Sequence, residues 1–190
     1  RDMSVSGDVT LSGGLVINPE GDDIQDFIFG SSSLADTGDS AQDSRMFFDT
    51  SKSAFRAGRV SSTQWDDANV GFASIGLGSS VTASGSYSAA IGNGATATAD
   101  TSAAFNDATA DGEASVAFNS GRALGTNSAA FNVGTANGRF SLAGGAGTSA
   151  MGEASVALGV FTATNAAADY SFVFGQGALG TPLSVSGSSM

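Results

Sequence analysis

The sequence contains no cysteine and no histidine, and among its 190 residues are only 2 prolines, 1 tryptophan and 7 basic side chains. Each absence removes a class of function. Without Cys there are no disulfides, thiol nucleophiles or Cys-ligated zinc, and without His there is no Ser-His-Asp chemistry. Redox compartment cannot be read from cysteine usage. With 18 acidic side chains and a net charge of −11, the chain lacks the basic clusters that bind phosphate backbones, so no nucleic-acid partner is expected. The same charge favours solubility. No apolar run approaches the roughly 18 residues of a membrane helix, and no basic-then-apolar leader opens the chain, so no membrane insertion is expected. The first residue is Arg1 rather than Met, which reads as a piece of a longer chain.

What the sequence does have is small residues: 27 Gly, 32 Ala and 30 Ser, nearly half the chain. Side chains of that size bury little area each and cannot build a thick layered core. Disorder is the weaker alternative, because disordered chains avoid aromatics and are rich in charge, whereas this one holds 13 Phe and is 13% charged. A thin, repetitive fold remains.

From Gly71 onward one phrase recurs: Ser, any residue, Ala, an apolar residue, then Gly or Asn. It stands at Ser88 to Gly92, Ser102 to Asn106, Ser115 to Asn119, Ser128 to Asn132, Ser141 to Gly145, Ser155 to Gly159 and Ser171 to Gly175, with a degenerate first copy at Phe72 to Gly76. The copies follow one another at a period of about 14 residues. They are most closely spaced from Ser102 to Ser141 and most widely at the two ends, from Phe72 to Ser88 and from Ser155 to Ser171. Between them recurs a Thr-Ala-x-Gly variant, at Thr82, Thr109 and Thr135 and more loosely at Thr98, Thr148 and Thr162, with Arg122 to Gly125 in its place once. Two short segments of period 2 separated by turn residues predict two strands per repeat, and Gly density excludes helix. The fold class expected is all-β: a parallel solenoid of eight coils, each about 14 residues, stacked about 4.8 Å apart.

The apolar slot of the phrase carries Ile75, Ile91, Phe105, Phe118, Phe131, Gly144, Leu158 and Phe174. Stacked coils turn these into one ladder, which fills either the coil interior or a seam between chains. Phe140 or Leu142 is expected to fill the gap at Gly144.

The phrase with its period resembles the head repeats of trimeric autotransporter adhesins, the YadA-like head, over residues 71 to 180. The resemblance implies a left-handed parallel β-roll, three chains around one axis, and an adhesive surface. Asn106, Asn119 and Asn132 stand where that family prefers Gly, and both residue types tolerate positive φ. The same repeat occurs in phage tail fibres and bacterial surface fibres ending in an endosialidase-type chaperone. Met3 to Gly14 and Asp43 to Gly58 resemble segments of those fibres. Extracellular location, on a bacterial surface or a virion, follows from the resemblance.

Residues 1–70 differ in composition, holding 12 of the 18 acids and 5 of the 7 basic side chains. Residues 1–18 read as a shaft or linker segment and 19–70 as a β-rich cap closing the roll, with 181–190 a C-terminal linker. Phe27 to Phe29 resembles the last phrase, and Met46 to Phe48 and Ala54 to Gly58 read as strands.

Candidate chemistry is sparse. Two acidic clusters, Glu20, Asp22, Asp23 and Asp26, and Asp36, Asp39 and Asp43, lack the spacing of a calcium loop and read as solvated acids, so no metal site is expected. Gly144 to Gly147 lacks the Asp of a calcium-binding solenoid repeat. Glycan hydrolysis needs opposed carboxylates. Asp66 and Asp67 beside Trp65 come nearest, but neighbours on a strand face opposite ways. Lys52 lacks the spacing of a Ser-Lys nucleophile. Trp65, Asp66 and Arg59 are the candidate binding residues, with Trp65 serving either the cap or a glycan platform. The Thr column (Thr82, Thr98, Thr109, Thr135, Thr148, Thr162) raises ice binding, though few coils carry paired Thr. The expectation is a non-enzymatic, cofactor-free, homotrimeric fibre segment that touches a surface glycan or protein receptor. A glycan-cleaving fibre and an ice-binding solenoid are the alternatives.

Overall fold

The computed structural model describes Ser6, residues 27–29 and residues 44–187. The two acidic clusters and the shaft-like segment lie outside the described residues, Ser6 apart. Three strands open the described chain: β1 (Phe27–Phe29), β2 (Ser44–Asp49) and β3 (Ala54–Arg59). Then come β4 (Ile75–Ser79), β5 (Thr82–Ala83), β6 (Ala89–Asn93), β7 (Thr96–Ala97), β8 (Ala103–Phe105), β9 (Thr109–Ala110), β10 (Val116–Phe118) and β11 (Arg122–Ala123). The rest are β12 (Ala129–Phe131), β13 (Thr135–Ala136), β14 (Leu142–Gly144), β15 (Ser149–Ala150), β16 (Val156–Val160), β17 (Thr162–Thr164), β18 (Phe172–Gln176) and β19 (Leu183–Val185).

These form a parallel β-solenoid of about seven turns. The even-numbered strands β4 to β18 stack in one sheet, which we call the phrase sheet, and the odd-numbered strands β5 to β19 stack in a second, the Thr sheet. Seven steps between stacked strands span about 34 Å at strand spacing. The Thr sheet includes Leu183–Val185, paired with Thr162–Thr164. That stretch, expected in a linker, is therefore part of the solenoid.

The interior shows why the residues must be small. Inward from the phrase sheet point Ala90, Ala104, Ala117, Ala130, Ala143 and Ala157, and from the Thr sheet Ala83, Ala97, Ala110, Ala123, Ala136 and Ala150, all fully buried. The Ser of each phrase is buried at one corner, with Ser102, Ser141 and Ser155 donating to the carbonyl three positions back at 2.6–2.7 Å. Facing Ala columns leave no room for a ring. At Gly138 a Cβ would run into the Gly152 carbonyl oxygen of the next coil, so that corner admits no side chain.

Two sequence readings change here. First, the large apolar ladder does not fill the interior: it lies on the outer side of the phrase sheet, with Phe174 70% and Ile75 42% exposed. Second, the first phrase is shifted by two positions. Ile75 pairs with Ala89, while Leu77 pairs with Ile91, so the first copy is Ser74-Ile75-Gly76-Leu77-Gly78 and the ladder begins at Leu77. The step from Ser74 to Ser88 then equals the next one, from Ser88 to Ser102.

Asn in place of Gly does more than keep the turn. Gly92 has φ +110°, continuing the strand, whereas Asn106, Asn119 and Asn132 sit at φ +50 to +53° and are each followed by a second left-handed residue, Asp107, Ser120 or Val133. Two consecutive left-handed residues turn the chain sooner. Strands β8, β10 and β12 in those coils are shorter than β6, and those are the most closely spaced phrases.

At the N-terminal end β3 pairs parallel with β4, so the parallel stack begins one strand before the repeat is legible. Beyond it the direction reverses: β2 and β1 are antiparallel, with Phe27 opposite Phe48. Phe27 to Phe29 is thus a strand, but not a coil of the repeat.

Candidate functional site

The outer side of the phrase sheet carries two columns. One runs Ile75, Ala89, Ala103, Val116, Ala129, Leu142, Val156, Phe172, and the other Leu77, Ile91, Phe105, Phe118, Phe131, Gly144, Leu158, Phe174. None of these positions is polar. Alternation places them opposite the buried Ala column, and each coil adds the same two apolar positions one strand spacing further along. Phe105 and Phe118 are stacked at 4.7 Å with 6° between their planes, and Phe118 and Phe131 at 5.3 Å with 4°. At Gly144 Leu158 reaches into the gap, its Cδ2 2.9 Å from where a Cβ would stand; of the two expected fillers, Phe140 instead lies half exposed at a corner, and Leu142 stands two positions before Gly144 in the neighbouring outer column.

The outer side of the Thr sheet is unlike it. Its paired column reads Thr82, Thr96, Thr109, Arg122, Thr135, Ser149, Ala163. Three Thr in a row end at Arg122. Of the Thr column expected from sequence, Thr148 and Thr162 are buried at 2% and 0% exposure, and Thr98 lies two positions beyond Thr96. The regular Thr array that the ice-binding alternative needs is not formed.

The candidate binding residues do not share one surface. Trp65 is fully buried: its indole Nε1 donates to the Val81 carbonyl at 3.2 Å, and its ring meets Phe47 edge-on at 6.0 Å. The glycan-platform reading of Trp65 is therefore corrected, because no ring face reaches solvent. Asp66 is half-buried between two short 3-10 turns, and Arg59 is exposed at the end of β3. Asp67 pairs with Lys52 at 2.9 Å, and the Lys52 ammonium also donates to the Asp67 carbonyl. Among the described residues no group of three acidic side chains is placed to hold a metal ion.

Sequence reading missed Arg56. Its side chain is fully buried at the N-terminal mouth of the lumen, where Nη1 donates to the Phe55 and Ser74 carbonyls at 3.0 Å and Nη2 to Ser74 Oγ and the Ala83 carbonyl at 2.8 Å. Burial pushes its pKa well below the usual guanidinium range, to about 10, partly offset by the nearby Asp49 carboxylate. Gly76 replaces the usual inward Ala because Arg56 occupies that space: a Cβ there would lie 2.7 Å from Arg56 Cδ. The one available signal was the glycine standing in an Ala slot.

Fold and site together define a class: a parallel β-solenoid with a small-residue lumen and one outer face built on two apolar columns. No family model matches the chain, and no curated protein or solved structure is significantly similar to it. Among the described residues, no helix is long and apolar enough to cross a membrane.

Proposed function

We propose that this chain is a structural and adhesive segment of an extracellular fibre, a left-handed β-roll in which three copies pack side by side through the phrase sheet. The observation that carries this reading is the outer face of that sheet, apolar in both columns over eight stacked strands. A continuous apolar strip of that length on an isolated chain marks an interaction surface, and one that repeats with the coil suits a partner of the same period. A second copy has that period. The antiparallel strands and the Phe47–Trp65 pair at the N-terminal end support a cap that covers the first coil, as solenoid ends require. Resemblance of the phrase to adhesin heads and fibre repeats supports the bacterial or viral surface setting, and the receptor would be a glycan or a protein. The role is holding and touching rather than catalysis, in keeping with a chain that lacks Cys and His.

The test is the mass of the folded protein in solution. Sedimentation equilibrium at micromolar concentration is expected to return three chains. A stable monomer with its β-structure intact overturns the assembly, and a stable dimer overturns the three-fold arrangement while leaving the apolar face as the interface.

A further inference from the structure

The corner that precedes the buried Ser holds one residue per coil in the left-handed region: Ala73, Tyr87, Thr101, Ala114, Asn127, Phe140, Ala154 and Tyr170, at φ +50 to +58°. Their amides donate to the coil before, Thr101 to Ser86, Phe140 to Thr126 and Tyr170 to Glu153 among them, so the column is straight and advances one strand spacing per residue. Left-handed backbone favours Gly and Asn and disfavours bulky side chains. Yet three positions are aromatic, and their side chains are exposed rather than buried: Tyr87 63%, Phe140 50% and Tyr170 72%. Tyr87 meets Phe72, itself half exposed, in a T-shaped contact at 5.8 Å that leaves most of the Tyr87 side chain in solvent. Strained, exposed aromatics that do not serve the fold are candidates for a binding role.

The geometry points to a binding strip for an extended, uncharged, β-1,4-linked polysaccharide, with Tyr87, Phe140 and Tyr170 as stacking platforms. The inference rests on the adhesive half of the function proposed above and gives it a ligand class. Spacing carries it first. Phe140 and Tyr170 are two coils apart and Tyr87 and Phe140 four, so the rings recur at multiples of about 9.6 Å. That interval is close to the disaccharide repeat of an extended β-1,4-linked chain, whose alternate sugars present the same face. The residues between the rings, Thr101, Ala114, Asn127 and Ala154, are short and leave the path open. Charge carries it second. The neighbouring column holds Asp100, Glu113, Glu153 and Asp169 with the single cation Arg139, which pairs with Glu153 at 3.0 Å and lies over one face of Phe140 at 4.6 Å. Carboxylates accept hydrogen bonds from sugar hydroxyls and repel an anionic polymer, so an uncharged chain is selected.

The experiment is cosedimentation with amorphous cellulose and titration with cellohexaose, using carboxymethyl cellulose as the anionic counterpart of the same chain. The variant is Tyr87→Asn/Phe140→Asn/Tyr170→Asn, which is expected to fold because Asn127 already occupies this column at φ +56°. Wild-type protein is expected to bind both neutral probes and to bind carboxymethyl cellulose more weakly. The triple variant should lose at least about tenfold in affinity, as loss of stacking platforms does elsewhere, with an unchanged or higher melting temperature. No binding of the wild type to either neutral probe overturns the proposal, as does a triple variant that binds equally well. If wild-type protein fails to bind while its mass in solution remains that of an assembly, the strip fails and the fibre reading stands. If the variant loses assembly together with binding, the corner belongs to the interface and the strip is overturned.

Discussion

The two sheets of the solenoid have the same inner face and opposite outer ones. Inward, both present a column of Ala at zero exposure. Outward, the phrase sheet carries its two apolar columns through every coil, while the paired column of the Thr sheet shows Thr, Ser and Arg122 and then Ala163. Strand pairing, coil period and lumen make the same demands on both, so the fold does not require the outer residues to differ. The assembly proposed above accounts for their difference: it leaves the polar side to water and covers the apolar side with a second copy.

The largest effect is expected from placing a charge on the apolar side. Phe118→Asp sets a carboxylate in the middle of the Phe105–Phe118–Phe131 stack. In an assembled face an unpaired buried charge costs several kcal/mol, so light scattering should report monomer while circular dichroism retains β-structure. An assembly of unchanged mass would show that Phe118 faces water and would erase the distinction between the sheets.

The comparison can be broken next at the N-terminal mouth, where the inner column itself changes from Ala to Arg56. Arg56→Ala leaves the Ser74 hydroxyl and the Ala83 carbonyl without that donor and opens a space, a loss of about 2–4 kcal/mol by chemical denaturation. Gly76→Ala clashes with Arg56 and should also destabilise. The double variant restores the Ala-on-Ala register found from Ala90 to Ala157 and should be more stable than the sum of the single effects predicts, a positive coupling in the cycle. The pH dependence has a definite sign. Arg56 is a base whose pKa falls on folding from the ordinary guanidinium range to about 10, so above pH 10 the unfolded chain binds the extra proton and stability rises with pH. The cost of burying the charge is present in full below pH 10. Between pH 9 and 11.5, wild type minus Arg56→Met is expected to gain stability; a flat difference would mean that the guanidinium stays charged at no cost.

A smaller effect separates inside from outside within one strand. Ala117→Leu, adjacent to Phe118 but facing inward, overfills a lumen bounded by Ala104, Ala130 and the opposite Ala column, at a cost of about 1–3 kcal/mol. Its mass in solution should not change. Loss of assembly without loss of stability would mean that the two positions had been assigned to the wrong sides.

How far this is legible in the sequence follows from the same alternation. Period 2 and the recurrence of Ser-x-Ala reveal strands, coils and the small-residue requirement. They cannot assign sides, because Ala occupies both: Ala104 faces in and Ala103 faces out. Volume decides, and volume exists only once two sheets close on one another. The first phrase reads two positions early because Gly76 hides its Ala slot, and the reason for that glycine, Arg56, is distant in sequence but in register with it in space. Thr148 and Thr162 look like members of the outer Thr column, yet they stand at the inward corner that Val81 and Ala95 occupy in earlier coils. Trp65 gives no sign of its depth, since a lone Trp beside two Asp residues reads equally well as a surface platform.

The smallest effect is the sharpest control. Leu124 follows Ala123 on the Thr sheet, half-buried, and its amide donates to Ala136 of the next coil just as the ladder requires. It is an apolar side chain on the polar side, two positions from Arg122. Leu124→Asp makes the same kind of change in the same coil as Phe118→Asp, but next to a cation and on a face where the corresponding position one coil earlier is already Asp111. Surface substitutions of this type stay within about 0.5 kcal/mol, and neither mass nor melting temperature should move. If Leu124→Asp disrupts assembly as strongly as Phe118→Asp, then both outer faces are covered, and burial outside the coil must be argued from both sheets rather than one.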